Sequence, residues 1–269
     1  YSTMEDVGSI ENIQHGLVRE AVRLTGIESG VEITTIADIP GQGTGLGSSS
    51  SVTVGLLNAM HAFQGREVSK EQLAEEACKI EIDTLGAPIG RQDQYAASFG
   101  GVNSIRFGEN GVQVEPIEVS EGLSKKLYES FTLVFTGLTR SASKVLSEQS
   151  DDESDKNSRM REIRKHADEA ASHIENGDLD SLGAILNQTW ISKRGVSSMV
   201  TNTQIDDLYE RVISSGALGA KLLGAGNGGF LLVCGNRQLR GILQRELGEG
   251  HRMFPLEIDF SGSSIIFGT

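Results

Sequence analysis

Two glycine clusters constrain this chain more than any other feature of it. One runs Pro40-Gly41-Gln42-Gly43-Thr44-Gly45-Leu46-Gly47-Ser48-Ser49-Ser50-Ser51, and the other Gly224-Ala225-Gly226-Asn227-Gly228-Gly229. Glycine lets backbone amides approach a ligand, or another backbone, with no side chain in the way. The first cluster leads into a helix whose apolar residues Val52, Leu56, Met60 and Phe63 share one face. A helix N-terminus offers unpaired N–H donors and the positive end of the dipole, which suits a phosphate chain. The neighbouring serine hydroxyls could bond a phosphate oxygen or ligate magnesium. No Gly-Lys-Ser/Thr ends the run, so it is not a Walker loop; a plain serine-rich helix entry is the other reading. The second cluster satisfies a bare Gly-x-Gly-x-x-Gly but runs into Phe230-Leu231-Leu232-Val233-Cys234, a strand and not a helix. That context rules out a dinucleotide fingerprint. A glycine turn approaching a ligand or the first loop, and a simple tight hairpin, both stay open.

Composition narrows the partners. The chain has 269 residues, 38% of them hydrophobic, enough for about two domains at roughly 150 residues each. Acids outnumber bases 37 to 24, a net charge of −13. Such a chain has no general attraction for nucleic acid or anionic lipid, so any phosphate it binds must be held locally. Two cysteines, Cys78 and Cys234, make no secreted disulfide framework and fit a reducing cytoplasm. No apolar run approaches the roughly 18 residues of a membrane span, and the start lacks a signal-peptide shape. His15, His61, His166, His173 and His251 form no zinc pattern.

Helical spacing joins Ile10, Ile13, Leu17, Val18, Ala21 and Leu24, with Gly26 as the stop. Residues 31–36 read as a β-branched strand, and residues 70–85 as a helix capped by Ser69 with Gln72 completing a capping box. Short strands are expected at residues 101–107, 112–117 and 131–135. Residues 147–158 read as a solvated loop, followed by helices at 160–175, 179–193 and 204–215. A strand, glycine turn and strand, a helix at 237–247 and a closing strand complete the chain. Without a regular strand–helix repeat, α+β is expected over a doubly wound parallel sheet.

A third feature is Glu81, at a helix end, and Asp93, in the segment Gly90-Arg91-Gln92-Asp93-Gln94 read as a loop. Phosphoryl transfer uses one carboxylate for magnesium and another beside the acceptor hydroxyl. Two such acids can also be plain surface charges. Arg91 could keep Asp93 ionised if their side chains converge.

The ordered run of Gly45-Leu46-Gly47-Ser48-Ser49-Ser50, then Gly90 to Asp93-Gln94, then Lys221 with Gly224 to Gly229 resembles the GHMP sugar and metabolite kinases. Within them it looks most like the D-glycero-D-manno-heptose 7-phosphate kinases of GDP-heptose synthesis, through residues 81–101, residues 135–143 and Trp190 with Lys193 and Arg194. The resemblance implies a two-domain α+β fold. A β-rich N-terminal domain would span residues 1–125 and a ferredoxin-like domain residues 126–269, with the site in the cleft between. It implies that Gly43, Gly45, Leu46, Gly47, Ser48, Ser49 and Ser50 wrap the ATP phosphates, and that Lys221, Gly224, Ala225, Gly226 and Gly228 buttress them. Ser49 and Glu81 would hold Mg2+, and Asp93 would be the general base. Arg140, Lys193 and Arg194 are the candidate contacts for a phosphate on the acceptor.

The implied function is an ATP-dependent kinase acting on the anomeric hydroxyl of a heptose 7-phosphate. A silent sugar or ATP sensor, another GHMP sugar kinase of galactokinase or fucokinase type, and a GHMP-fold decarboxylase are the alternatives. The expected partner is a small sugar phosphate, with no nucleic acid and no membrane; a homodimer is left open. The family's N-terminal glycine motif is not found, so a segment ahead of Tyr1 is expected. Asn227 stands where the heptose branch often has glycine.

Overall fold

The computed structural model describes residues 4–38, 44–139 and 153–267. They fall into two compact units, one of Tyr1–Gly41, Gly47–Gly101 and Asp259–Thr269, the other of Gln42–Leu46 and Val102–Ile258. Among the described residues, no helix is long and apolar enough to cross a membrane.

The first unit is carried by helices α1 (Gly16–Thr25), α2 (Ser48–Phe63), α3 (Lys70–Cys78) and α4 (Gln92–Phe99). Their apolar stripes meet in a core of Ala21, Val22, Val54, Leu57, Met60, Leu73, Ala77 and Ile80. The Ser69 hydroxyl caps α3 by accepting from the Gln72 amide at 3.1 Å. The Gln72 side chain reaches forward to Glu76 (2.8 Å), so the reciprocal half of the expected capping box is not made. After Cys78 the helix widens into a π-helical turn, Lys79–Thr84. Such turns shift the facing of the side chains they carry and recur at functional sites. This one carries Glu81, which is only 2% exposed.

Four sequence expectations change here. Residues 10–12 form a separate 3-10 turn ahead of α1. Phe63, expected on the apolar face of α2, is 68% exposed because it ends the helix beyond the core contact. Residues 31–36 form no strand: a strand exists only through ladder partners, and none lies beside them among the described residues. Residues 92–99, expected to begin in a loop, form helix α4, which places Asp93 in a first turn.

The second unit opens with an antiparallel hairpin, β1 (Val102–Gly108) and β2 (Gly111–Ile117), with Gly108 opposite Gly111 at the turn. Next come α5 (Glu121–Ser130), β3 (Phe131–Phe135), α6 (Glu153–Asn176), α7 (Leu179–Arg194) and α8 (Thr203–Ser214). The series ends β4 (Gly219–Leu222), β5 (Phe230–Cys234), α9 (Leu239–Leu247) and β6 (Met253–Pro255). The sheet order is β4-β5-β3-β6 with every pair antiparallel, a ferredoxin-like arrangement. Its core gathers Val134, Trp190, Ile205, Leu208, Val212, Leu222, Leu231 and Leu243.

The closing strand is short, β6 alone. Residues 102–125 fall within this compact unit. One tie is the Arg106–Asp168 ion pair at 2.9 Å, from β1 to α6. Helix α6 already begins at Glu153, inside the stretch read as a loop to 158, and Asp155 pairs with Arg159 one turn on at 2.8 Å.

Helix α7 lies unusually close to the sheet. A Cβ on Gly219 would stand 2.0 Å from the Gly183 carbonyl oxygen, and one on Gly183 would stand 2.9 Å from Leu218 Cβ. Only glycine at both places permits that approach. The C-terminal end of α7, with Lys193 and Arg194, is thereby set against the end of β4.

Candidate active site

The first unit brings together Gly47, Ser49, Glu81 and Asp93. Gly47 is the N-cap of α2, in the left-handed region at φ 67°, and no side chain caps the helix. A Cβ placed on Gly47 would lie 3.3 Å from Asp93 Cβ and Cγ. Asp93 thus stands directly beside the start of α2, half-buried, its Oδ1 accepting from Gln92 Nε2 at 3.1 Å. Arg91 does not serve it. The guanidinium lies 5.9 Å from the Tyr95 ring centroid, on the side of Cys78.

In the first turn of α2, the exposed Ser49 hydroxyl donates to Glu81 Oε1 at 2.7 Å. The other oxygen of Glu81 accepts from Gln94 Nε2, also at 2.7 Å. Glu81 is therefore a buried carboxylate held by two neutral donors, with no ion pair among the described residues. A buried anion without a counter-charge is costly. A hard cation against Ser49 Oγ and Glu81 Oε1 would relieve that cost, and these oxygens are the ligand types magnesium takes. Gln94 was not singled out as a site residue from sequence, although it adjoins Asp93. Its own Oε1, fully buried, lacks a partner among the described residues.

The second unit brings the two glycine clusters together. Gly45, exposed and at φ 72°, meets Leu223 and Gly224: a Cβ on Gly224 would stand 2.6 Å from Gly45 Cα. The Thr44 carbonyl accepts from the Phe230 amide at 3.2 Å, and a Cβ on Gly229 would come within 2.3 Å of it. Backbone lies on backbone, with no side chain between. The second turn is tied down from behind. The Gly229 carbonyl accepts from Thr136 N (2.9 Å) and Thr136 Oγ1 (2.8 Å), and the Gly229 amide donates to Leu138 (2.8 Å). Asn227, at φ 59°, holds the left-handed conformation that asparagine tolerates better than most residues. Its amide donates to Val200 (2.7 Å) and its side-chain oxygen accepts from Asn202 (2.6 Å), so asparagine fulfils the turn where glycine was expected. The Asn202 and Val200 contacts carry no local sequence signal.

Lys193 and Lys221 flank this turn. Lys193 Nζ donates to the carbonyls of Leu222 (3.3 Å) and Gly224. Loss of water around both amines favours their neutral forms. Lys193, further disfavoured as a cation by Lys221, is lowered to about 7, and Lys221 is lowered as well. Arg194 is paired with Asp206 at 3.1 Å and lies 5.9 Å from the Tyr209 ring centroid. Gly43 and Arg140 lie outside the described residues. Leu46, Ser48, Ser50, Ala225, Gly226 and Gly228 lie in the two glycine segments themselves, Ser50, Gly226 and Gly228 buried.

Residues 12–101 match the family model "GHMP kinases N terminal domain" and residues 170–250 the model "GHMP kinases C terminal", together well over half of the chain. A D-glycero-alpha-D-manno-heptose 7-phosphate kinase of Campylobacter jejuni is 34% identical over 200 residues, 73% of this chain and 59% of that protein. A mevalonate kinase of Aeropyrum pernix is 34% identical over 194 residues, 70% of this chain and 56% of that protein. The chain thus spans under two thirds of the length of these curated relatives. A crystal structure of a D-glycero-D-manno-heptose 1-phosphate kinase from Bacteroides thetaiotaomicron shares the fold, at a TM-score of 0.72 and 24% identity. That match covers 91% of this chain and 72% of the other. The ordered motifs, the ferredoxin-like sheet and both family models make this chain a member of the GHMP kinases.

Proposed function

We propose that this chain is the kinase portion of an ATP-dependent sugar-phosphate kinase, transferring the γ-phosphoryl group to an anomeric hydroxyl. The observation that carries the reading is Asp93 beside the glycine N-cap of α2, with the Ser49–Glu81 pair in the first turn of that helix. The loop from Gly45 to Ser50, backed by Lys221 and residues 224–229, is proposed to hold the ATP phosphates through main-chain amides. Ser49 and Glu81 would hold magnesium, which supplies charge neutralisation on the phosphates when bound. The Asp93 carboxylate accepts the proton of the acceptor hydroxyl, or orients that hydroxyl toward the γ-phosphorus. An anomeric hydroxyl is more acidic than an ordinary alcohol, so a carboxylate suffices. Most of the acceleration comes from positioning and electrostatics.

The similarity to heptose 7-phosphate kinase supports a heptose 7-phosphate as the acceptor, with Arg140 and Arg194 as the contacts to its distal phosphate. ADP release measured across free sugars and sugar 1-, 6- and 7-phosphates tests this. A heptose 7-phosphate is expected to be turned over best, and equal turnover of free heptose or galactose would remove the distal-phosphate reading. No turnover of any sugar phosphate, with ATP still bound, would favour a sensor.

Two variants bear on the nucleotide half. In Gly47→Val a β-branched residue is forced to φ 67° against Asp93, a strain of about 1–3 kcal/mol. ATP affinity is expected to fall by about tenfold or more, whereas neutralising acids in residues 147–158 leaves it near parental. Calorimetry finding unchanged affinity in the valine variant would remove the loop assignment. Glu81→Gln keeps the shape and the Ser49 contact but not the charge. Its magnesium requirement for half-maximal activity is expected to rise several-fold; an identical requirement would make Glu81 a structural acid.

A further inference from the structure

We propose that Gln94 is a positioning residue for the metal-binding carboxylate, holding Glu81 so that its Oε1 stays with the Ser49 hydroxyl as a ligand pair for one divalent cation. The proposal rests on the reading of Ser49 and Glu81 as magnesium ligands. All its contacts lie within the first unit. Gln94 is fully buried, and its Nε2 donates to Glu81 Oε2 at 2.7 Å while Ser49 Oγ holds Oε1 at 2.7 Å. An ionised carboxylate only accepts, so Glu81 dictates which end of the Gln94 amide faces it. That choice leaves Gln94 Oε1 buried with no partner among the described residues. An unpartnered buried acceptor is destabilising, and a methionine would fill a similar volume without it. Packing alone therefore does not account for an amide at this position.

The helices fix the donor in place. Helix α3 runs into the π-helical turn that carries Glu81, and α4 carries Gln94 in its first turn. Toward the far end of α4, Ser98 Oγ donates to the Lys70 carbonyl at 2.6 Å, and Lys70 Nζ donates to the Phe99 carbonyl at 2.7 Å. Between these ties and Gln94, the Tyr95 hydroxyl donates to Glu75 at 3.4 Å. Gln94 thus reaches Glu81 from a helix held along its length against α3, which makes the amide a fixed donor. Its neutrality matters as much as its place. A lysine or arginine here would also hold the carboxylate, but it would pair with the charge that a cation needs. An amide orients the ligand and leaves that charge available, as partners of metal ligands commonly do. The same turn sets Asp93 beside Gly47, so α4 places the proposed base and the proposed metal ligand together.

The test uses Mn2+ as the probe, with electron paramagnetic resonance of the free ion measuring what the nucleotide-free protein binds. A chain of net charge −13 will hold Mn2+ elsewhere too, so the share belonging to this site is the share that Glu81→Gln removes. In Gln94→Met the affinity of that share is expected to fall about tenfold, the usual effect of losing a residue that orients a metal ligand. Gln94→Asn, one methylene too short to reach Glu81, should show the same loss. In the parent, the side-chain amide resonances of Gln94 are expected to shift on addition of Mg2+, and in Glu81→Gln to stay where they are. Parental Mn2+ affinity in folded Gln94→Met and Gln94→Asn overturns the proposal while leaving Glu81 a metal ligand. Parental Mn2+ binding in Glu81→Gln overturns the proposal and the metal reading together. Where neither Gln94 variant folds, the parental resonances decide, and amide signals indifferent to Mg2+ overturn the proposal. The expected Mn2+ losses in a protein that turns over no sugar phosphate would reject the kinase reading and leave the role of Gln94 standing.

Discussion

Asp93→Asn is expected to lower turnover by a factor of about 10² to 10⁴ while leaving ATP affinity near parental. The amide keeps the size of the side chain and its place against Gly47, with 3.3 Å from the glycine's Cβ position to Asp93 Cγ, so the loop is not disturbed. What it loses is the ability to take a proton. A positioned base of this kind contributes about 3–5 kcal/mol to the barrier, at about 1.4 kcal/mol for each factor of ten. Asp93 is proposed to face the acceptor, so nucleotide binding is the built-in control. Turnover and ATP affinity are measured on the same purified variant. Full activity would discard the base assignment, and a matching loss of ATP affinity would move Asp93 to the nucleotide side.

Gly224→Ala is expected to give the second large effect, this time on stability and nucleotide binding together. A single methyl at Gly224 would stand 2.6 Å from Gly45 Cα, a distance no non-bonded carbon pair sustains, and the residue sits at φ 63°. The two loops must part or the turn must distort, at a cost of about 2–4 kcal/mol. ATP affinity should fall at least about tenfold with it. Gly216→Ala is the control: at φ 97° it suffers the backbone strain, but nothing lies within 4 Å of the added methyl. The difference between the two variants isolates the loop–loop contact. Equal thermal midpoints and equal ATP affinities would show that the loops do not depend on each other.

Much of this site was legible in the residues because its chemistry is local. Glycine at Gly45 and Gly47 announces positive φ and close approach, serines at 48–50 announce a helix start with hydroxyls, and the ordered motifs named the family. The reading failed where a residue's fate depends on a distant partner. Residues 31–36 carry strand propensity, but a strand is made by its neighbour. Arg91 is two positions from Asp93, but the start of α4 turns it toward Tyr95, because residues two positions apart at a helix start point to nearly opposite sides while those four apart share one.

The sequence by itself determined the local conformations: the glycine turns, the Ser69 cap and the α+β class. These follow from backbone sterics and from short-range hydrogen bonding, which any reader of the chain can apply. Only the tertiary structure decided which turn supports which. It laid Gly224 on Gly45, gave Asn227 its partner Asn202, put Gln94 behind Glu81 and set Lys193 on the Gly224 carbonyl. Such pairings join residues tens to nearly two hundred positions apart. They are chosen by the packing of helices on helices and on the sheet, which the spacing of residues along one segment does not encode.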